Sequence, residues 1–128
     1  MSEAPEVFVS YSHRDRQWVR KFADRLDEAG VRVWMDEKEI AIGEQFVDRL
    51  EEAIRASDTL IFVITPENVN SPNAYFELGA ALGMGKKVLA IVANEVAWQD
   101  LPEPIKLRRY VAMDSPEETA QDIVGALT

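Results

Sequence analysis

Glu77 is the acid whose position in the sequence points most directly to chemistry. It closes the segment Ser71-Pro72-Asn73-Ala74-Tyr75-Phe76-Glu77, immediately behind an apolar run at residues 59–65. Ser71 suits an N-cap and Pro72 the first helical position, so Glu77 falls about a turn and a half into a helix. In open α/β sheets ligands bind outside the carboxyl ends of the strands, which is where this carboxylate would stand. Two other segments supply partners. Ser10, Tyr11 and Ser12 bring hydroxyls and backbone N–H groups to the end of the opening apolar stretch, and Arg14 brings a cation suited to a phosphate. The loop at residues 36–43 adds Asp36. Together the three segments predict a nucleotide-sized pocket. An acid early in a helix is also what the macrodipole alone favours. Placement beside the end of a central strand is what singles out Glu77.

The elements that must hold these residues alternate. Residues 7–11 read as a short strand. Asp15 is placed to cap the helix that follows, where Trp18, Val19, Phe22 and Leu26 recur at helical spacing and Gly30 suits a left-handed end. Residues 31–35 form a second strand, and the loop at 36–43 leads to a helix with Phe46, Leu50 and Ile54 on one face. Residues 59–65 are apolar without alternation, as in a parallel strand covered on both sides. Ala74, Leu78, Ala81 and Leu82 make the stripe of the next helix, which Gly85 ends; Gly79 and Gly83 read as packing positions. Residues 88–93 and 110–113 are the last strands, separated by a crossover broken by Pro102 and Pro104. Ala120, Ile123, Val124 and Leu127 mark a final helix. Parallel strands need such crossovers. The expectation is a flavodoxin-like three-layer α/β sandwich with a five-stranded parallel sheet of order 2-1-3-4-5. Its switch point lies between strands one and three.

Composition narrows the partners. The 128 residues predict a single domain over residues 1–128, and 47% hydrophobic with 29% charged residues is a globular balance. A formal charge of −9 argues against nucleic acid and against anionic membrane surfaces. There are no cysteines, which excludes disulfides and thiolate metal sites and fits a cytoplasmic location. No metal site is expected. His13 is the only histidine, and Asp36, Glu37 and Glu39 lack the glycine and terminal acid of a calcium loop. No glycine-rich phosphate loop, nucleophile elbow or thiol nucleophile is present. Ile40 and Ile42 give the 36–43 loop an apolar tip, with Gly43 relaxing the backbone behind it. Such a tip fits contact with a neighbouring subunit.

The opening Val7-Phe8-Val9-Ser10-Tyr11-Ser12-His13-Arg14-Asp15 resembles the first box of the Toll/interleukin-1 receptor (TIR) domain family. Gly30-Val31-Arg32-Val33-Trp34-Met35-Asp36 with Ile40-Ala41-Ile42-Gly43 resembles its second strand and BB loop. Ala53-Ile54-Arg55-Ala56-Ser57-Asp58 resembles the approach to its third strand. The likeness is to bacterial TIR domains that cleave NAD+, and it implies Glu77 as the catalytic glutamate. Ser10, Tyr11, Ser12, Arg14, Trp34, Asp36 and Asn73 would then contact NAD+, which enters as substrate with no further cofactor. Ile40, Ile42 and Gly43 would mediate TIR–TIR self-association. Breaking the nicotinamide–ribose bond develops an oxocarbenium ion that one carboxylate can stabilise, and nicotinamide leaves without a general acid. The family often carries tryptophan four residues before this glutamate; here the position is Asn73, so Trp34, Tyr11 or Tyr75 would have to supply an aromatic surface. By analogy, a part in bacterial defence is implied. Two alternatives remain open at this point: a non-enzymatic TIR–TIR scaffold, and a nucleoside deoxyribosyltransferase-like nucleotide-binding domain, which the run through Glu77-Leu78-Gly79 also resembles.

Overall fold

The computed structural model describes residues 5–35, 55–67, 69, 85–101, 103–106 and 110–127, without the side chains of His13 and Pro104. Five strands run in parallel: β1 (Glu6–Ser10), β2 (Arg32–Met35), β3 (Thr59–Ile64), β4 (Lys87–Val92) and β5 (Tyr110–Ala112). Their order is β2-β1-β3-β4-β5, the flavodoxin-like arrangement expected from the sequence. The helices described in full are α1 (Arg16–Glu28), the single turn α2 (Glu103–Lys106) and α3 (Pro116–Leu127). The helices expected around Phe46 and around Ala74, and the loop at 36–43, lie outside the described residues.

The two faces of the sheet are set by alternation carried through the register. Val7 pairs with Thr59, Phe8 with Leu60 and Val9 with Ile61 across β1–β3; Leu60 pairs with Val88 and Phe62 with Ala90 across β3–β4. One face presents Val7, Val9, Ile61, Val63 and Ile91 to Val19, Phe22 and Leu26 of α1 and to Ala120 and Ile123 of α3. The other presents Phe8, Leu60, Phe62, Ile64, Val88, Ala90 and Val92, which pack with Leu101 and Ile105 from the β4–β5 connection. All six residues of β3 are buried, so the strand is apolar on both sides and shows no alternation. Burying each large apolar side chain contributes roughly 1.5–3 kcal/mol.

Helix ends follow their residues. Gly30 adopts φ +86°, its N–H bonds the Asp27 carbonyl at 3.0 Å, and Val31 N–H bonds the Leu26 carbonyl at 3.0 Å. This is a Schellman closure, and it turns the chain directly into β2. At the start of α3, Ser115 Oγ accepts the Glu118 N–H at 3.2 Å, which satisfies one orphan donor of the first turn. Among the described residues no helix is long and apolar enough to cross a membrane.

Candidate functional site

The ends of β1 and β3 are joined by a small polar network. Beyond Ser10 the chain makes a single 3-10 turn, His13–Asp15, before entering α1. Ser12 organises that turn: its carbonyl accepts the Asp15 N–H at 2.8 Å and its Oγ accepts the Arg14 N–H at 3.4 Å. Beyond Ile64 the chain turns again through Thr65, whose carbonyl accepts the Val69 N–H at 3.0 Å. Thr65 is buried at 3% exposure, so its hydroxyl must find partners inside the protein. It finds two. Thr65 Oγ1 donates to Asp15 Oδ2 at 2.7 Å and accepts the Glu67 N–H at 3.2 Å.

Asp15 therefore departs from the role expected of it. It occupies the N-cap position of α1, with φ −95° and ψ 9°, yet its side chain makes no capping bond. A cap is worth about 0.5–2 kcal/mol. The short bond to a buried hydroxyl replaces it, because a carboxylate acceptor makes a charge-assisted contact there. Burial pushes the Asp15 carboxyl above the ordinary aspartate range; the Thr65 hydrogen bond opposes this, and the nearby Glu67 carboxylate adds to it. Arg14 lies at the mouth of the network, its Nη1 3.6 Å from Glu67 Oε2 with both side chains open to water.

The other expected site residues divide. Ser10 is buried at the end of β1, in register with Phe62. Ser12 is half-buried. Trp34 is 45% exposed near the end of edge strand β2, in register with Phe8 and thus on the sheet face that also carries Ser10. Tyr11 is 2% exposed and packs in the core with Val9, Val19 and Phe22, so its ring is not an open aromatic surface. Asp36, Ile40, Ile42, Gly43, Asn73 and Glu77 lie outside the described residues, as does Tyr75.

Thr65 and Glu67 were not singled out from the sequence. The available signal was a threonine closing a wholly apolar strand, a hydroxyl that burial obliges to bond. A cavity of about 400 Å³ also lies between α1 and α3, lined by Arg25, Glu28, Glu117, Gln121 and Val124 among others. It shares no residue with the ends of β1 and β3, and Arg25 spans it with ion pairs to Glu28 at 3.3 Å and Glu117 at 3.9 Å. Among the described residues no group of three or more histidine, aspartate or glutamate side chains is arranged to hold a metal ion.

A parallel sheet of order 2-1-3-4-5 with polar groups gathered where β1 and β3 end defines a doubly wound α/β domain whose switch point lies between those two strands. A profile of the TIR domain matches residues 7–126, and the chain belongs to that family. It is 31% identical over 73 residues to Toll-like receptor 6 of Bos taurus, covering 56% of this chain and 9% of the receptor. It is 26% identical over 100 residues to the NAD(+) hydrolase TcpA of a Theionarchaea archaeon, covering 75% of this chain and 30% of the hydrolase. Among solved structures, a metazoan TIR-STING receptor from C. gigas in complex with 2',3'-cGAMP superposes with TM-score 0.77. That match has 24% identity and covers 94% of this chain and 38% of the receptor. The chain spans less than half the length of the curated relatives it matches.

Proposed function

We propose that this chain is a TIR-type NAD+ nucleosidase that breaks the nicotinamide–ribose bond. The observation that carries the proposal is the polar network at the ends of β1 and β3 in a TIR-family chain, one of whose relatives is an NAD(+) hydrolase. The nicotinamide ribose would lie between Ser10–Ser12 and the Glu77 carboxylate. The exposed ring of Trp34, on the same sheet face as Ser10, offers a stacking surface for a base. Arg14 is close enough to solvent to exchange its Glu67 partner for the diphosphate.

In the reaction the C–N bond breaks, the electron pair leaves with neutral nicotinamide, and the ribose becomes an oxocarbenium cation. The Glu77 carboxylate would stabilise that cation. Water then adds to give ADP-ribose and a proton. Capture by a nucleophile within the same molecule gives a cyclic ADP-ribose instead. Self-association through the apolar tip Ile40–Ile42 would make heterologous contacts, which build open assemblies. Asp36 and Asn73, on the 36–43 loop and ahead of Glu77, complete the proposed substrate contacts. A cytoplasmic location and a part in bacterial defence belong to the same proposal.

A TIR–TIR docking module without catalysis is the second reading. The match to a receptor and the asparagine at position 73 favour it. Nicotinamide release from NAD+, followed while protein concentration is raised, separates the two. A rate per protomer that climbs steeply with concentration supports the enzyme. No release at any concentration overturns the enzyme and favours the docking module.

A further inference from the structure

We propose that Asp15 and Thr65 form a proton-linked latch between the chain leaving β1 and the chain leaving β3, and that both act as positioning residues for the bond-breaking step. The proposal rests on the reading above for its catalytic part and on geometry alone for the latch. Three features carry it. The contact is short, at 2.7 Å, and joins residues 50 positions apart. Thr65 directly follows β3 and Asp15 closes the turn that leads from β1 into α1; β1 and β3 flank the switch point and are paired in parallel. And Asp15 spends its side chain on this bond at a helix-capping position, leaving the first turn of α1 without a side-chain cap.

Thr65 is the hub through which the latch acts on the chain beyond β3. Its hydroxyl accepts the Glu67 N–H and its carbonyl accepts the Val69 N–H, so one residue fixes the exit from β3 toward the segment that contains Glu77. Closure depends on the charge of Asp15. Ionised, Asp15 only accepts, and the Thr65 hydroxyl points its proton at the carboxylate while a lone pair serves Glu67 N–H. Protonated, Asp15 keeps an acceptor oxygen but loses the charge that strengthens the contact, so its hold on the Thr65 hydroxyl weakens. Among the described residues, the charged groups facing this pair are Glu67, which disfavours ionisation of Asp15, and Arg14, which pairs with Glu67. Acid therefore loosens the turn that leaves β3.

The test uses the full chain with Thr65→Val, Thr65→Ser and Asp15→Asn, and reads two quantities. One is amide hydrogen-exchange protection at Glu67 and Val69 across pH; the other is kcat and KM for nicotinamide release. In Thr65→Val, protection at Glu67 falls about tenfold or more. In the same variant kcat falls about tenfold to a hundredfold while KM changes less than about threefold, as expected when a reacting group is misplaced. Thr65→Ser, which restores the hydroxyl, recovers both. In Asp15→Asn the acid-side loss of Glu67 protection and of kcat disappears. If Thr65→Val does not fold, the serine and asparagine variants decide. Unchanged exchange and kcat in Thr65→Val, or an acid limb in Asp15→Asn identical to that of the parent, overturns the latch. Should the parent release no nicotinamide, the nucleosidase reading fails, and the exchange data alone still judge the latch.

Discussion

The Thr65 hydroxyl and the Asp15 carboxylate meet at 2.7 Å, tying the end of the central strand β3 to the first residue ahead of α1. The bond links a buried hydroxyl to a half-buried acid, and it does so at the one place in the sheet where neighbouring strands begin connections that part from each other. Its strength and its sensitivity to pH both follow from the same surroundings.

The titration of Asp15 should move in opposite directions in two variants. Burial raises its carboxyl, the Thr65 hydrogen bond lowers it, and Glu67 raises it. Thr65→Val removes the lowering influence and shifts the titration further up. Glu67→Gln removes a raising one and shifts it down. Carbon-detected NMR of the aspartate carboxyls across pH reads both. Shifts in the same direction contradict the assignment of causes.

Stability carries the same signature. Because the folded carboxyl titrates above its unfolded value, the folded state holds the extra proton between the two, and stability falls as pH rises through that window. Above it, ionised Asp15 is the less favoured form. Asp15→Asn imitates the neutral form and can still accept the Thr65 hydroxyl through its carbonyl. Its denaturant midpoint should exceed the parent's at pH 7, and the gap should close as pH falls toward the ordinary aspartate range. A variant less stable at pH 7 would show that the charge-assisted bond outweighs desolvation.

Gly30 closes α1 at φ +86°, and beyond its own chain neighbours no heavy atom lies within 4 Å of where a Cβ would stand. The cost of Gly30→Ala is thus backbone strain alone, about 1–2 kcal/mol. Gly30→Asn should cost less, because asparagine tolerates the left-handed region. Urea unfolding with unchanged slope checks both. Equal losses in the two variants would mean that something other than backbone conformation is at stake.

Arg14 and Glu67 face each other at 3.6 Å with 78% and 41% of their side chains exposed, a pairing worth about 0.2–1 kcal/mol. If Arg14 must release Glu67 to receive a diphosphate, Glu67→Gln lowers the KM for NAD+ by up to about fivefold. Arg14→Gln raises it. Steady-state kinetics at low and moderate salt measure both effects. A KM indifferent to either change would mark Arg14 as a loop cation with no part in binding.

Much of this fold was legible because its signals are local or periodic. The unbroken apolar run of β3 announces a strand covered on both faces, Gly30 announces the end of α1, and alternation of elements announces a parallel sheet whose order the register bears out. The latch was not legible. Asp15 before a helix reads as a cap by local propensity, and only a partner 50 residues away explains why its side chain turns elsewhere. Tyr11 was ambiguous for a related reason. A tyrosine at a strand end suits a pocket wall or a core equally, and packing against Val19 and Phe22 decided for the core. Trp34 could be weighed only once β2 was seen to be an edge strand, where a large ring remains open to solvent.

The central claim is that Glu77 meets a sugar cation derived from NAD+. Nicotinamide release by the parent and by Glu77→Ala, measured side by side at a protein concentration where the parent turns over, tests it most directly. The account predicts release by the parent and a loss of about a hundredfold or more in Glu77→Ala with the fold intact, in keeping with the removal of one electrostatic stabiliser. Equal release from both proteins would contradict it.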